Sequence, residues 1–345
     1  MNPKHLFLCF CLCAMARLGY SQKDIAKFFP AAAVPSGGSS NLNGLISGYI
    51  APIAKDYGQL ANNGWYTTAA VHKRWGFDLN VTVTTININS EAETFAAPPL
   101  TGVAYQGGTT PLQTAYGTAG VFPNFQFNAG PNSGISFKGT DGAEPGKDLP
   151  VGSLVIPTLQ FGLGIFKGTD LRIRYTPKIT IGDTELDNWG VGIMHDIKQH
   201  IPGLREIPFS LSVFAGYTKL KTTVDLSGYY AGSGQEGVGE SSSYTIQALV
   251  GKDIKFLSVY GGVGYNASST DFTINGTYQV TSTDTNQPLT SPVTLTDPFS
   301  ESFSINGIRA TAGLRLKFGP ITLNGDYTFV GKQSLLTAGF GITVR

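Results

Sequence analysis

The chain has 345 residues, 24 basic and 23 acidic, with 44 glycines and three cysteines. Charged residues make up only 14%, against about 25% in ordinary soluble domains, which argues against a surface that meets water on all sides. The even balance of charge leaves no basic excess for nucleic acid, and 11% aromatic residues speak against a disordered chain.

The N-terminus reads as a secretory signal peptide over 1–21. Lys4 and His5 open it, residues 6–15 are an apolar run, and Gly19-Tyr20-Ser21 offers a cleavage site. The run is shorter than the roughly 20 residues of a transmembrane helix. All three cysteines, Cys9, Cys11 and Cys13, fall inside it, so the mature chain is expected to have no disulfide, thiolate metal site or cysteine nucleophile. Leu12 before Cys13 does not suit lipoprotein cleavage, so secretion without lipidation is expected. Lys4 and Arg17 leave with the peptide, so 22 basic residues face 23 acidic ones.

Residues 22–62 form a second unit. Leu42, Leu45, Ile46, Tyr49, Ile50 and Ile53 follow the spacing of an amphipathic helix. Ser40 or Asn41 is expected to cap it, Pro52 to bend or break it, and Gly58 to end it. Such a helix ahead of a barrel sits either in the lumen as a plug or against the periplasmic mouth. The plug is the preferred reading, with Leu45, Ile46, Tyr49 and Ile50 against the inner wall.

From residue 63 to 345 the signal is period-two alternation in segments of about ten residues, the pattern of a membrane strand. Over 171–181, Leu171, Ile173, Tyr175, Ile179 and Ile181 share one face while Arg172, Arg174, Thr176, Lys178 and Thr180 share the other. The segment 308–318 repeats the pattern, and Phe77, Leu79, Val81 and Val83 alternate with Asp78, Asn80, Thr82 and Thr84. Further strands are predicted at 63–75, 151–167, 188–197, 207–220, 242–251, 255–268, 320–331 and 334–345, which makes eleven. Single-chain barrels have an even number of strands. The predicted fold is therefore an all-β transmembrane antiparallel barrel of 12 to 14 strands, the missing ones sought in 91–150, 221–230 or 271–280. Short connections at 167–170, 251–255 and 318–320 alternate with long polar ones at 91–150, 228–241 and 276–303, which by barrel convention face outward. Trp65 and Trp75 share strand parity and are expected to sit in the two aromatic girdles.

Asn62-Asn63-Gly64-Trp65-Tyr66-Thr67-Thr68-Ala69 with His72-Lys73 and Gly76-Phe77-Asp78-Leu79, and Gly190-Val191-Gly192-Ile193-Met194-His195-Asp196-Ile197-Lys198 with Ile201-Pro202, resemble an uncharacterised family of Bacteroidota outer-membrane β-barrels, domain of unknown function 6588. The plan of an N-terminal helical region followed by a mid-sized barrel is also loosely similar to the long-chain fatty-acid outer-membrane transporter family, whose N-terminal Asn-Pro-Ala signature is absent. The first resemblance implies the fold and no activity.

Arg172, Arg174, Lys178, Arg309, Arg315 and Lys317 all fall on polar strand faces. They are candidates for a luminal basic strip that attracts an anionic solute, or for ion pairs across the lumen with Asp78, Asp326 and the carboxylates near 183–187. His195 and His200, five apart, do not have the i, i+4 spacing of a zinc pair and read as a turn on the barrel rim. His72 reads as a luminal hydrogen-bonding group. No Gly-x-Ser-x-Gly elbow or Ser/His pairing suggests a hydrolase, and 232–237 matches a dinucleotide fingerprint only by letter. No enzyme, cofactor or metal is expected. The expected partners are outer-membrane lipid, the barrel-assembly machinery and a small hydrophobic or anionic solute. The leading functional expectation is a passive channel or transporter for hydrophobic or amphipathic solutes. The alternative is a structural or binding surface protein that displays its loops, with an outer-membrane hydrolase as a minor third.

Overall fold

The computed structural model describes residues 24–107, 111–144, 154–166 and 168–344; the signal peptide expected at 1–21 lies outside them. Ten antiparallel strands run up and down in chain order: β1 (Phe77–Asn87), β2 (Val155–Phe166), β3 (Thr169–Ile181), β4 (Thr184–Asp196) and β5 (Ser210–Asp225), then β6 (Ala231–Ile254), β7 (Leu257–Ser282), β8 (Phe299–Phe318), β9 (Ile321–Val330) and β10 (Gln333–Val344). The last strand pairs with the first, from Phe77 opposite Val344 to Asn87 opposite Ser334. The sheet therefore has no free edge, and ladder bonds stay within it.

Alternation decides which side chains face out. On β3, Leu171, Ile173 and Tyr175 are exposed while Arg172, Arg174 and Thr176 are buried; on β8, Leu314 is exposed and Arg315 buried. An outward apolar band around a polar inside is what a lipid-facing barrel presents. Both chain ends of the barrel, Phe77 and Val344, lie at one end with the turns near 168, 255 and 319; we call this the turn end. The other, the loop end, carries 88–107, 111–144 and the tips of β6, β7 and β8.

The strand count of 12 to 14 is corrected to ten. Ten of the eleven predicted strands exist. The eleventh, 63–75, forms no ladder and runs through the lumen, so even parity comes from removing a strand and not from adding one. Segments expected to supply the missing strands extend β5 and β7 or form two small sheets separate from the barrel, Thr94–Phe95 with Leu112–Gln113, and Val103–Tyr105 with Asn124–Phe127 and Ser136–Lys138. The expected loop at 228–241 is mostly the outer part of β6. Much of 276–303 likewise belongs to β7, to Pro288–Thr296 paired on it, and to β8.

Helix α1 (Gly38–Ala61) is longer than expected and is capped differently. Gly37, at φ +80°, precedes it without a side-chain cap, and Pro52 and Gly58 lie within it. Packing of its buried face, Leu42, Leu45, Ile46, Tyr49, Ile50 and Ile53, outweighs the local cost of Pro52. Gly58 allows close approach instead of ending the helix: a Cβ there would lie 2.5 Å from the Cβ of Ser268.

Candidate functional site

The lumen is occupied along its length by one continuous segment, α1 followed by 62–74. Its wall partners step along the same strands. Thr270 Oγ1 donates to the Ala54 carbonyl at 2.7 Å, the Asn62 amide donates to Asn266 Oδ1 at 2.6 Å, and the Tyr260 hydroxyl donates to the Tyr66 carbonyl at 3.4 Å, descending β7 from loop end to turn end. On β6 the order is the same: Ser243 to the Gly58 carbonyl, Gln247 with the Tyr66 hydroxyl, Asp253 with Thr68. The chain thus threads its own barrel from the loop end and joins β1 at the turn end.

The loop end is closed by apolar packing. Leu45, Ile46, Tyr49 and Ile50 are buried with Phe28, Phe29, Phe125 and Tyr278; Phe28 meets Tyr49 edge-on with centroids 5.9 Å apart, and Phe29 meets Tyr278 at 4.7 Å. Asn41 binds both the Thr101 carbonyl and the Thr101 amide at 2.8 Å, tying the start of α1 to the cap of outer loops. A cavity of about 40 Å³, lined by Ile50, Ile53, Leu220, Val224 and Phe272 among others, is left between helix and wall.

Lower down, wall arginines grip the threaded backbone. Arg174 donates to the Ala61 carbonyl at 2.6 Å, and its guanidinium lies 3.5 Å over the Trp65 ring. Arg172 and Gln160 donate to the Trp65 carbonyl at 3.3 and 2.9 Å. Arg309 donates to the Asn62 carbonyl and to Asn63 Oδ1, and Arg315 donates to Thr67 Oγ1 at 3.3 Å. Near the turn end His72 sits between two wall carboxylates, Nδ1 2.8 Å from Asp170 and Nε2 3.2 Å from Asp78, and Arg172 reaches both carboxylates at 3.4 and 3.6 Å. Carbonyls and carboxylates take up part of the hydrogen bonding of these buried guanidinium groups, while the Nε atoms of Arg172, Arg174 and Arg309 are buried without a hydrogen bond.

Of the six predicted basic residues, four therefore share the lumen: Arg172, Arg174, Arg309 and Arg315 are buried and hold the protein's own chain. Lys178 is exposed beyond the apolar band, ion-paired with Glu185. Lys317 is half-buried near the turn end. The ladder is thus split, because β3 and β8 extend past the occupied lumen. The girdle reading of Trp65 is corrected: it is 1% exposed and packs on Phe214 inside the barrel. Inward Gly192 and Gly216 make the room, since a Cβ on either would lie within about 3 Å of Phe214 and Trp65. Outward aromatics beyond the apolar band are Trp189, Tyr217 and Tyr244; Trp75 is exposed at the turn end. His195 and His200 form a stacked pair on that rim, Nε2 to Nε2 3.0 Å.

Sequence reasoning missed Asp56. It is buried on α1 near the loop end, accepts from the Tyr116 hydroxyl at 2.9 Å and from the Gln333 amide at 3.2 Å, and burial pushes its carboxyl up to about 7. Neighbouring Gln59 is buried with neither side-chain polar atom hydrogen-bonded. A carboxylate in the middle of an apolar helical stripe was the available signal.

The chain belongs to a family described as a family of unknown function (DUF6588), whose model matches residues 1–344. No curated protein matches it. Among solved structures it is similar to Ail, the attachment invasion locus protein of Yersinia pestis, at 10% identity over 79% of this chain and 98% of that one with a TM-score of 0.26. It is also similar to the translocator domain of the autotransporter NalP from Neisseria meningitidis, at 10% identity over 79% and 90% with a TM-score of 0.30. A Pseudomonas aeruginosa FadL homologue matches at 10% identity over 86% and 97% with a TM-score of 0.26. Scores at this level carry no argument about function, and the barrel rests on its own hydrogen-bonded closure.

Proposed function

We propose that this protein sits in the bacterial outer membrane as a closed barrel and serves as a structural or binding protein of the cell surface, presenting the folded cap built from 24–37, 90–107, 111–144 and 288–296. The observation that carries the reading is the threaded lumen. A passive channel needs a continuous path, whereas here successive backbone carbonyls from Ala54 to Ala69 are held by wall side chains. The outward apolar band and the absence of a free sheet edge support the membrane setting. In planar bilayers the intact protein is expected to insert with little steady conductance, while a variant lacking the whole threaded segment and the short helix before it, 24–74, conducts. A large, steady conductance from the intact protein would return the reading to a channel.

Passage of a small hydrophobic or amphipathic solute after the segment withdraws is a second reading, and one feature favours it. Asp56 and Gln59 place polar groups on the buried face of the docked helix, so docking is weaker than the apolar packing alone implies.

A further inference from the structure

We propose that the turn-end rim is a docking collar for the headgroups of anionic phospholipids in the leaflet it faces; this rests on the membrane reading above. The two ends of the barrel differ in charge. At the loop end Asp183, Glu185, Asp225 and Glu236 surround one open recess. At the turn end Lys73, Arg74, Lys252 and Lys255 are exposed and outnumber the carboxylates beside them, Asp196 in the recess at Lys73 and Arg74 and Asp253 between the two lysines; among the described residues none of the four cations forms an ion pair. Between these cations stand exposed aromatic side chains, Trp75, Phe166, Phe256 and Phe318, directly below the outward apolar band.

Alternation of aromatic rings with long basic side chains at the edge of an apolar band suits the boundary between acyl chains and headgroups. The rings sit at headgroup level, and the ammonium and guanidinium groups extend to phosphate. Trp75 supplies a separate sign. It holds φ +66°, a conformation that bulky side chains rarely adopt, and it is among the most exposed large side chains, at 66%. Its amide donates to the Gly164 carbonyl at 2.8 Å, which pins the turn, and Arg74 lies over its ring at 5.4 Å. Strain of this kind persists where the surroundings hold it in place and commonly marks a working surface. The collar also continues the lipid-facing wall, so a headgroup at the rim places its acyl chains on the apolar band.

The test uses the full-length protein refolded into nanodiscs of neutral phosphatidylcholine, with and without phosphatidylglycerol, reading the temperature at which the compact SDS-resistant form is lost. Phosphatidylglycerol is expected to raise that temperature by several degrees. High salt should erase the increment, and so should K73Q/R74Q/K252Q/K255Q, while K219Q/K221Q at the loop end keeps it. An equal increment in the neutralised variant overturns the proposal, as does no increment in a wild-type barrel folded in both bilayers. If the fourfold variant does not fold, the salt dependence of the wild-type and of K252Q/K255Q decides in the same way. Failure to fold in either bilayer would instead count against the membrane reading.

Discussion

Arg174 shows how one inward residue sets the fate of the lumen. Its guanidinium caps the last carbonyl of α1, bonds Gln160 at 3.2 Å and covers Trp65. Lysine would keep the charge but lose the planar face and the fork. Arg174→Lys is therefore expected to loosen the threaded segment by about 1–3 kcal/mol, read as faster hydrogen exchange at the amides of 61–66; unchanged exchange would mean the grip is incidental. Asp56 acts in the opposite sense. Its docked carboxyl titrates near 7, raised from 3.8 by burial and held back only in part by Tyr116 and Lys55. A raised acid favours docking while it is protonated, so docking is strongest below about pH 4, weakens as pH climbs towards 7, and levels off above. About three pKa units correspond to about 4 kcal/mol at most. The temperature at which Trp65 fluorescence reports release should fall over that window, and Asp56→Asn should flatten the dependence. A wild-type profile without slope from pH 4 to 7 would remove Asp56 from the account.

At the scale of elements, α1 and the wall are fitted to one another through missing side chains. An added Cβ at Gly58 would lie 2.4 Å from Ser268 Oγ, so Gly58→Ala should push the helix off β7 and cost about 1–3 kcal/mol. Ser268→Gly in the same chain should restore most of that loss in thermal denaturation, and failure of the rescue would place the strain elsewhere. Strands carrying a clean apolar and polar alternation were legible in the sequence, β3 to within a few residues and β8 over its turn-end half from 308 to 318, because an apolar surround on one face and a packed lumen on the other impose period two; the outer part of β8, Phe299 to Gly307, was missed. The segment 63–75, whose spacing predicts a strand, pairs with no neighbour: Trp65 to Ala69 are all buried against the wall, Trp65 and Tyr66 both on Phe214, so strand-like spacing alone does not report a ladder. The four luminal arginines were legible as inward residues, and so was the pairing of Arg172 with Asp78. The bonds of Arg172, Arg174 and Arg309 to carbonyls of the threaded chain were not, because a backbone carbonyl leaves no mark on sequence.

At the scale of the whole molecule, threading has a consequence for orientation. The segment before α1 packs at the loop end, where Phe29 meets Tyr230 and Tyr278 on the outer parts of the wall, while the chain enters β1 at the turn end. Residues 34–37 must therefore face the same side as the long loops, and 197–209 the other. The described residues contain no cysteine, which makes this readable by single substitutions at exposed positions. Ser36→Cys should react in intact cells with a bulky maleimide that does not cross the outer membrane, and Arg205→Cys should react only after permeabilisation. Labelling of Arg205→Cys alone would invert the barrel and assign the acidic recess to the periplasm. Protection of Ser36→Cys while a cysteine at Lys332, in the turn between β9 and β10, is labelled would be more damaging. It would mean that the N-terminal segment does not pass through the lumen in the membrane, and the case for a closed display barrel would lose the observation it stands on.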